Sequence, residues 1–200
     1  NTTVLGLVAE RVTGQSLNKL IISRMTSPLN ISGLKYNLSP NETLLPRFSG
    51  KNDSLRFAKT GDLDIFGPDV PSNANNNKIF LGGEGMIANS DGYCDFLRML
   101  MNYGKLNGFQ FLNEETVKEI SSPQTQLNND WGFNGYNLWV TSDTLKKLGT
   151  GDSNLWQGGG YEGTEFWIDS KRDFVGVKMS QLHPTPKSGH KFYDEFRGEV

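Results

Sequence analysis

Gly158-Gly159-Gly160-Tyr161-Glu162-Gly163-Thr164 runs straight into Glu165-Phe166-Trp167-Ile168-Asp169, and the fold reading turns on this segment. Four glycines in seven residues make a turn whose backbone carries few side chains. The apolar run that follows reads as a strand. Ser170-Lys171-Arg172 closes a hairpin onto Phe174–Gln181, where Val175, Val177 and Met179 alternate with Gly176, Lys178 and Ser180. That two-residue period belongs to a half-buried strand. Asn137–Thr141 is a further candidate strand, and Lys187–Arg197 reads as a closing helix.

The earlier part of the chain has a different rhythm. Leu5, Val8, Ala9 and Val12 recur at helical spacing within Val4–Thr13, and Gly14 is a plausible C-cap. Leu17, Leu20 and Ile21 continue the pattern to about Met25, where Pro28 stops it. From Asn30 to Asn77 the periodicity disappears among Pro40, Pro46, Pro68 and Pro71, and the stretch reads as long loops. After the glycine turn Gly82-Gly83-Glu84-Gly85-Met86, Asn89 or Ser90 can cap a helix carrying Tyr93, Phe96, Leu97 and Leu100. A short helix with Val117 and Ile120 starts near Asn113. Helices first and sheet last give an α/β chain of the α+β kind. Residues 1–130 form a mostly helical and loop region, and 131–200 the sheet with its closing helix.

Two hundred residues suffice for a sizeable core. Twenty basic and 22 acidic side chains leave a net charge of −2, which argues against nucleic acid or an anionic membrane as a bulk electrostatic partner. No apolar run approaches the roughly 18–20 residues of a membrane helix. The single cysteine, Cys94, excludes an intrachain disulfide framework and a cysteine-built zinc site, and reads as a buried inert thiol. His183 and His190 are too few for a histidine cluster, so no metal or cofactor is expected. Five Asn-x-Ser/Thr triplets begin at Asn1, Asn30, Asn37, Asn41 and Asn52. They can carry glycans in a secreted eukaryotic protein, but a chain rich in Asn, Ser and Thr also produces them by chance.

Three segments in order resemble the serine β-lactamase-related family: class C β-lactamases, D-alanyl-D-alanine peptidases and esterases on the same fold. They are Val4–Leu17 with Ser27-Pro28-Leu29, then Gly82–Asp91 running through Phe96–Leu100 to Gly104–Gly108, and last Gly158–Thr164 with Phe166–Asp169. The resemblance implies a mixed sheet flanked by helices, a mostly helical second part, and an active site between them. It also implies a serine in a Ser-x-x-Lys turn that is acylated and then hydrolysed. A Tyr-x-Asn element supplies a second base, and a Lys-Thr-Gly, His-x-Gly or Trp-Gly-Gly wall lies opposite, with an oxyanion N–H just after it. In the family, Ser-x-x-Lys and Tyr-x-Asn lie upstream of the segment matching Val4–Gly14. The chain therefore reads as a C-terminal portion of the β-lactamase/transpeptidase-like fold, without its N-terminal strands and nucleophile helix. The missing N-terminal part is then a partner, and family habit favours a periplasmic or secreted location.

Ser16-Leu17-Asn18-Lys19, Lys59-Thr60-Gly61 and Ser188-Gly189-His190-Lys191 mimic family motifs literally. They sit in the wrong contexts: after a helix-ending glycine, in a proline-rich loop, and near the end of the chain. The third motif matches best at Gly158-Gly159-Gly160 as a substrate-binding wall, with Trp156 or Gln157 partly filling the space at Gly158. Gly158 takes the place usually held by Lys, His or Trp. Losing a cation there removes an anchor for a carboxylate and favours a small neutral ester or amide as substrate. The Tyr161 backbone N–H is the candidate oxyanion donor, while Glu162 reads as a solvated turn carboxylate. Trp131, Phe133, Tyr136 and Trp139 form either an acyl pocket or core. Besides an ester or amide hydrolase, a non-catalytic binding protein and a D-amino-acid peptidase are the competing functions.

Overall fold

The computed structural model describes residues 1–50, 54–59, 78–125, 132–143 and 154–183. Helix α1 (Thr2–Thr13) ends at Gly14, whose φ of 67° turns the chain while its N–H donates to the Glu10 carbonyl at 2.8 Å. Side chains then satisfy donors at the start of α2 (Leu17–Ile21): Glu10 Oε1 accepts from the Leu17 N–H at 2.6 Å, and Ser16 Oγ from the Lys19 N–H at 3.3 Å. The single helix expected to reach Met25 is instead α2 followed by a π-helical turn, Ile22–Thr26, with Ser27 N–H reaching back to Ile22 O at 3.0 Å. Pro28, just beyond, has no N–H with which to continue an α-helical ladder.

The stretch expected to be plain loop contains three short strands, β1 (Leu34–Lys35), β2 (Phe48–Ser49) and β3 (Arg56–Phe57), the last two paired antiparallel. β4 (Ile87–Ala88) closes on β1 and leads into α3 (Ser90–Met101), where Asn89 Oδ1 caps the Gly92 N–H at 2.8 Å. A tight hairpin follows between β5 (Lys105–Leu106) and β6 (Phe109–Gln110). Its two turn residues, Asn107 and Gly108, both have positive φ, as a two-residue hairpin turn requires. Asn113 Oδ1 caps α4 (Glu114–Ile120) through the Thr116 N–H at 2.7 Å.

Strands β7 (Gly132–Asn134), β8 (Trp139–Thr141), β9 (Trp156–Gly159), β10 (Glu165–Asp169) and β11 (Phe174–Lys178) form one antiparallel sheet in simple chain order. β8 begins two residues later than the sequence suggests because Asn137, at φ 59°, still belongs to the turn. The β10–β11 turn is organised by buried Asp169, whose carboxylate accepts from the Lys171 and Arg172 N–H groups and from Arg172 Nη1. β12 (Leu182–His183) leaves the sheet and pairs parallel with β2. The expected closing helix, Trp131, His190, Thr60-Gly61 and Ser188–Lys191 lie outside the described residues.

Cross-strand register sorts the sheet into two faces. Trp156, Gly158, Phe166, Ile168, Val175 and Val177 share the face that meets α3, where Leu97, Met99 and Leu100 join Val140, Trp156 and Ile168 in the main core. Gln157, Trp167 and Gly176 share the other. Trp167 is only 2% exposed, and a Cβ built on Gly176 would sit 2.1 Å from its Cζ2.

Helix α1 turns its apolar side outward. It meets the rest of the chain through Gly6, its one buried residue, at the crossing with Gly82. Val4, Leu5, Val8 and Val12, within about 100° of one another on the helical wheel, point away. All are exposed, Val12 by 79%. This face supports a prediction: Val8→Lys with Val12→Lys lowers binding of an apolar dye and concentration-dependent light scattering, and leaves the melting temperature unchanged. A second prediction concerns the sheet. Gly176→Ala forces the Trp167 indole to move and costs about 1–3 kcal/mol of stability. Urea unfolding reads this as a lower midpoint at unchanged slope, and the loss shrinks when Trp167→Leu is added.

Candidate active site

The three glycines of the candidate wall separate on physical grounds. Gly158 is required by packing: a Cβ there would lie 2.6 Å from Phe166 Cε1 and 2.8 Å from Cζ. The Phe166 ring, directly across the ladder from Gly158, fills that space, and Tyr93 of α3 meets its edge at 5.7 Å and 83°. Burial pushes the Tyr93 phenol up to about 12, so it stays protonated. Trp156, which the sequence suggested as a partial filler, lies in the core on the same face with its indole N–H unpaired among the described residues.

Gly159 and Gly160 are different. Neither has a positive φ, and a Cβ on either would meet nothing closer than 3.6 Å. Conformation and packing thus leave room for a side chain at both positions, yet both are bare and exposed. Bare backbone admits another backbone or a reacting group to close approach. β8 pairs with β9 only through Trp139↔Gln157 and Val140↔Trp156, so the glycines project past this ladder.

Tyr161 follows at the corner. The Gly163 N–H donates to Gly160 O at 3.0 Å, and the Gly160 N–H to Thr164 O at 2.7 Å. In such a turn the bond joins the first and fourth residues and leaves the N–H of the second unused. That second residue is Tyr161, and among the described residues its N–H has no acceptor. The N–H that the sequence singled out is therefore available on an exposed turn beside two bare glycines.

The turn is tied from outside. The Leu182 N–H donates to Glu162 O at 3.1 Å, and Thr164 Oγ1 donates to Ser180 O at 3.0 Å. Glu162, expected to be a solvated carboxylate, pairs with Arg47 Nε at 3.2 Å. His183 stacks on the Tyr161 ring at 3.9 Å and 19°, with Nδ1 3.3 Å from Tyr161 O. Its pairing with Tyr161 spans 22 positions, and no local pattern announces it.

The remaining candidates fall elsewhere. Ser16 and Lys19 are exposed at the start of α2, where Ser16 Oγ serves as an N-cap. Phe133 packs against the core. Tyr136 is exposed, and its hydroxyl donates to Glu119 Oε1 at 3.1 Å, which raises its pKa. Cys94 is half-buried, and desolvation, then Asp91 and Asp95, push its thiol up. No group of His, Cys, Asp and Glu suited to a metal occurs among the described residues.

A helix lies across an antiparallel sheet in this mixed α/β chain, and a glycine-bared strand leads to an N–H with no acceptor among the described residues. The chain belongs to the β-lactamase family, whose model matches residues 1–194. No curated protein matches it. Its fold is similar to EstCE1, a hydrolase with promiscuous acyltransferase activity, at 18% identity and a TM-score of 0.76 over 96% of this chain and 52% of that one. Simvastatin synthase (LovD) from Aspergillus terreus, unliganded as the selenomethionyl derivative, gives 15% identity and 0.73 over 96% and 51%. A penicillin-binding protein from Bacillus halodurans gives 13% and 0.69 over 98% and 53%. The chain spans about half the length of these structures.

The packing at Gly158 makes a direct prediction. Gly158→Lys, which puts a cation and a long side chain at this position, destabilises the chain by about 1–3 kcal/mol because Phe166 must vacate its place. Combining it with Phe166→Ala costs less than the sum of the two single changes, as a denaturation double-mutant cycle will measure.

Proposed function

We propose that this chain forms part of a serine hydrolase that cleaves a small, neutral ester or amide through an acyl-enzyme, with the nucleophile carried by a segment upstream of residue 1. The observation that carries this reading is the Tyr161 N–H, unpaired among the described residues, just past a strand and turn whose glycines Gly159 and Gly160 meet no close contact among those residues. A serine oxygen attacks the substrate carbonyl carbon, and the carbonyl π pair moves onto its oxygen. The Tyr161 N–H donates to that oxyanion, a contact whose loss costs about 3–4 kcal/mol in related sites. The intermediate collapses, expelling the alcohol or amine with a proton. Water then attacks the acyl group by the same route.

Gly158 argues for neutral substrates. With Phe166 in its space, that position offers no cation to hold a carboxylate, which a β-lactam or a D-Ala-terminated peptide presents. EstCE1 is described as both a hydrolase and a promiscuous acyltransferase. An acyl-enzyme here would likewise partition between water and an alcohol. A binding protein that kept the fold without the chemistry is the second reading, and the missing polar residue at Gly158 is the feature that favours it.

Fluorophosphonate labelling followed by peptide mass spectrometry tests the assignment. The 200-residue chain takes up no adduct, whereas the full polypeptide is labelled on an upstream serine and turns over p-nitrophenyl esters faster than D-Ala-D-Ala peptides. An adduct on Ser16 would overturn the upstream nucleophile, and an unlabelled full polypeptide would favour the binding protein. Tyr161→Phe leaves ester turnover within about twofold, because the donor is the main chain.

A further inference from the structure

Tyr161 is gripped at every point except its N–H. Its ring lies under His183 at 3.9 Å, its carbonyl faces His183 Nδ1 at 3.3 Å, and the next carbonyl, of Glu162, accepts from the Leu182 N–H at 3.1 Å. Leu182 and His183 form β12, which is anchored by parallel pairing to Phe48 and Ser49 of β2. Arg47, the residue before β2, holds the Glu162 carboxylate from the same side. The turn itself is poorly restrained, since Gly160 and Gly163 flank Tyr161-Glu162 and glycine resists rotation weakly.

We infer that His183 is a positioning residue that sets the direction of the Tyr161 N–H, and that strands β12 and β2 are the brace through which it acts. The inference rests on the reading of Tyr161 as oxyanion donor. A carbonyl can only accept, so Nδ1 of His183 carries the proton and donates to Tyr161 O. That bond fixes the peptide plane after Tyr161, and the ring stack fixes its side chain. Together they leave the residue little freedom in φ or ψ, and the orientation of its own N–H follows. An oxyanion donor is effective only when it already points at the developing charge, and a displacement of about 1 Å can cost about a hundredfold in rate.

Three variants test this: His183→Ala removes both contacts, His183→Phe keeps the stack, and His183→Asn keeps a hydrogen-bond donor. The backbone order parameter of the Tyr161 amide is measured by 15N relaxation in the 200-residue chain. It falls from about 0.85 toward 0.6 in His183→Ala and recovers in part in His183→Phe and His183→Asn, while Trp167 and Ile168 stay rigid. In the full polypeptide, His183→Ala lowers kcat for p-nitrophenyl acetate about tenfold to a hundredfold with KM within about twofold, the signature of a contact made only in the transition state. His183→Phe regains part of that rate. An unchanged order parameter in His183→Ala overturns the brace whatever the rate does. A loosened amide with unchanged kcat also overturns the positioning role, and places the failure in the oxyanion reading of Tyr161, because the grip would then be real and the N–H idle.

Discussion

The Phe166 ring lying over Gly158 is the contact on which the arrangement of the site depends. It lets β9 and β10 pair closely while α3 presses onto the same face through Tyr93. A strand pays in conformational entropy for interior glycine, and burying an aromatic ring offsets that cost. The opposite face repeats the device with Trp167 over Gly176. The consequence at Gly158 is chemical as well as structural. Packing against Phe166 excludes a side chain at Gly158, so what this position presents is set by the core.

Glycine contacts fix other parts of the molecule in the same way. Gly33, at φ 77°, lies against the Asn89 side chain, and a Cβ on Gly92 would sit 2.1 Å from Ser32 O. These contacts lock the start of α3 to the segment before β1, so the helix that carries Tyr93 has a defined depth against the sheet. Gly82 crosses α1 at Gly6, and the Tyr36 hydroxyl donates to Leu81 O at 2.8 Å just before that crossing. Burial, with Glu10 nearby, pushes the Tyr36 phenol up to about 12 and keeps it a donor. Segments distant in sequence are thus pinned where side chains are absent, and the bare pair Gly159-Gly160 differs because nothing presses on it.

Elements with a strong local signal were legible in the sequence. The glycine run, the β10–β11 alternation and the caps at Asn89 and Asn113 each write their physics into neighbouring residues. The family resemblance rested on the same segments. The two-residue strands β1, β2 and β3 were not legible, because a strand that short has no period. The spacing in α1 shows that the helix has an apolar side and is silent on whether anything covers it. At the candidate site, the glycine run and its turn were legible, but Phe166, on the next strand, fills the space at Gly158, and His183, on another sheet, stacks on Tyr161; neither partner has a local signal.

Ser16 and Lys19 show why a matching string is weaker evidence than its surroundings. A serine nucleophile needs a base within reach, and a lysine acts as one only where burial or nearby positive charge drives off its proton. Lys19 is exposed, and Ser16 Oγ is already engaged by the Lys19 backbone N–H at 3.3 Å as a helix cap. The Glu10 carboxylate, 2.6 Å from the Leu17 N–H, adds negative charge to the same helix start. That charge opposes the alkoxide character that attack by Ser16 would require. In the setting this chain gives them, these four residues start and cap a helix.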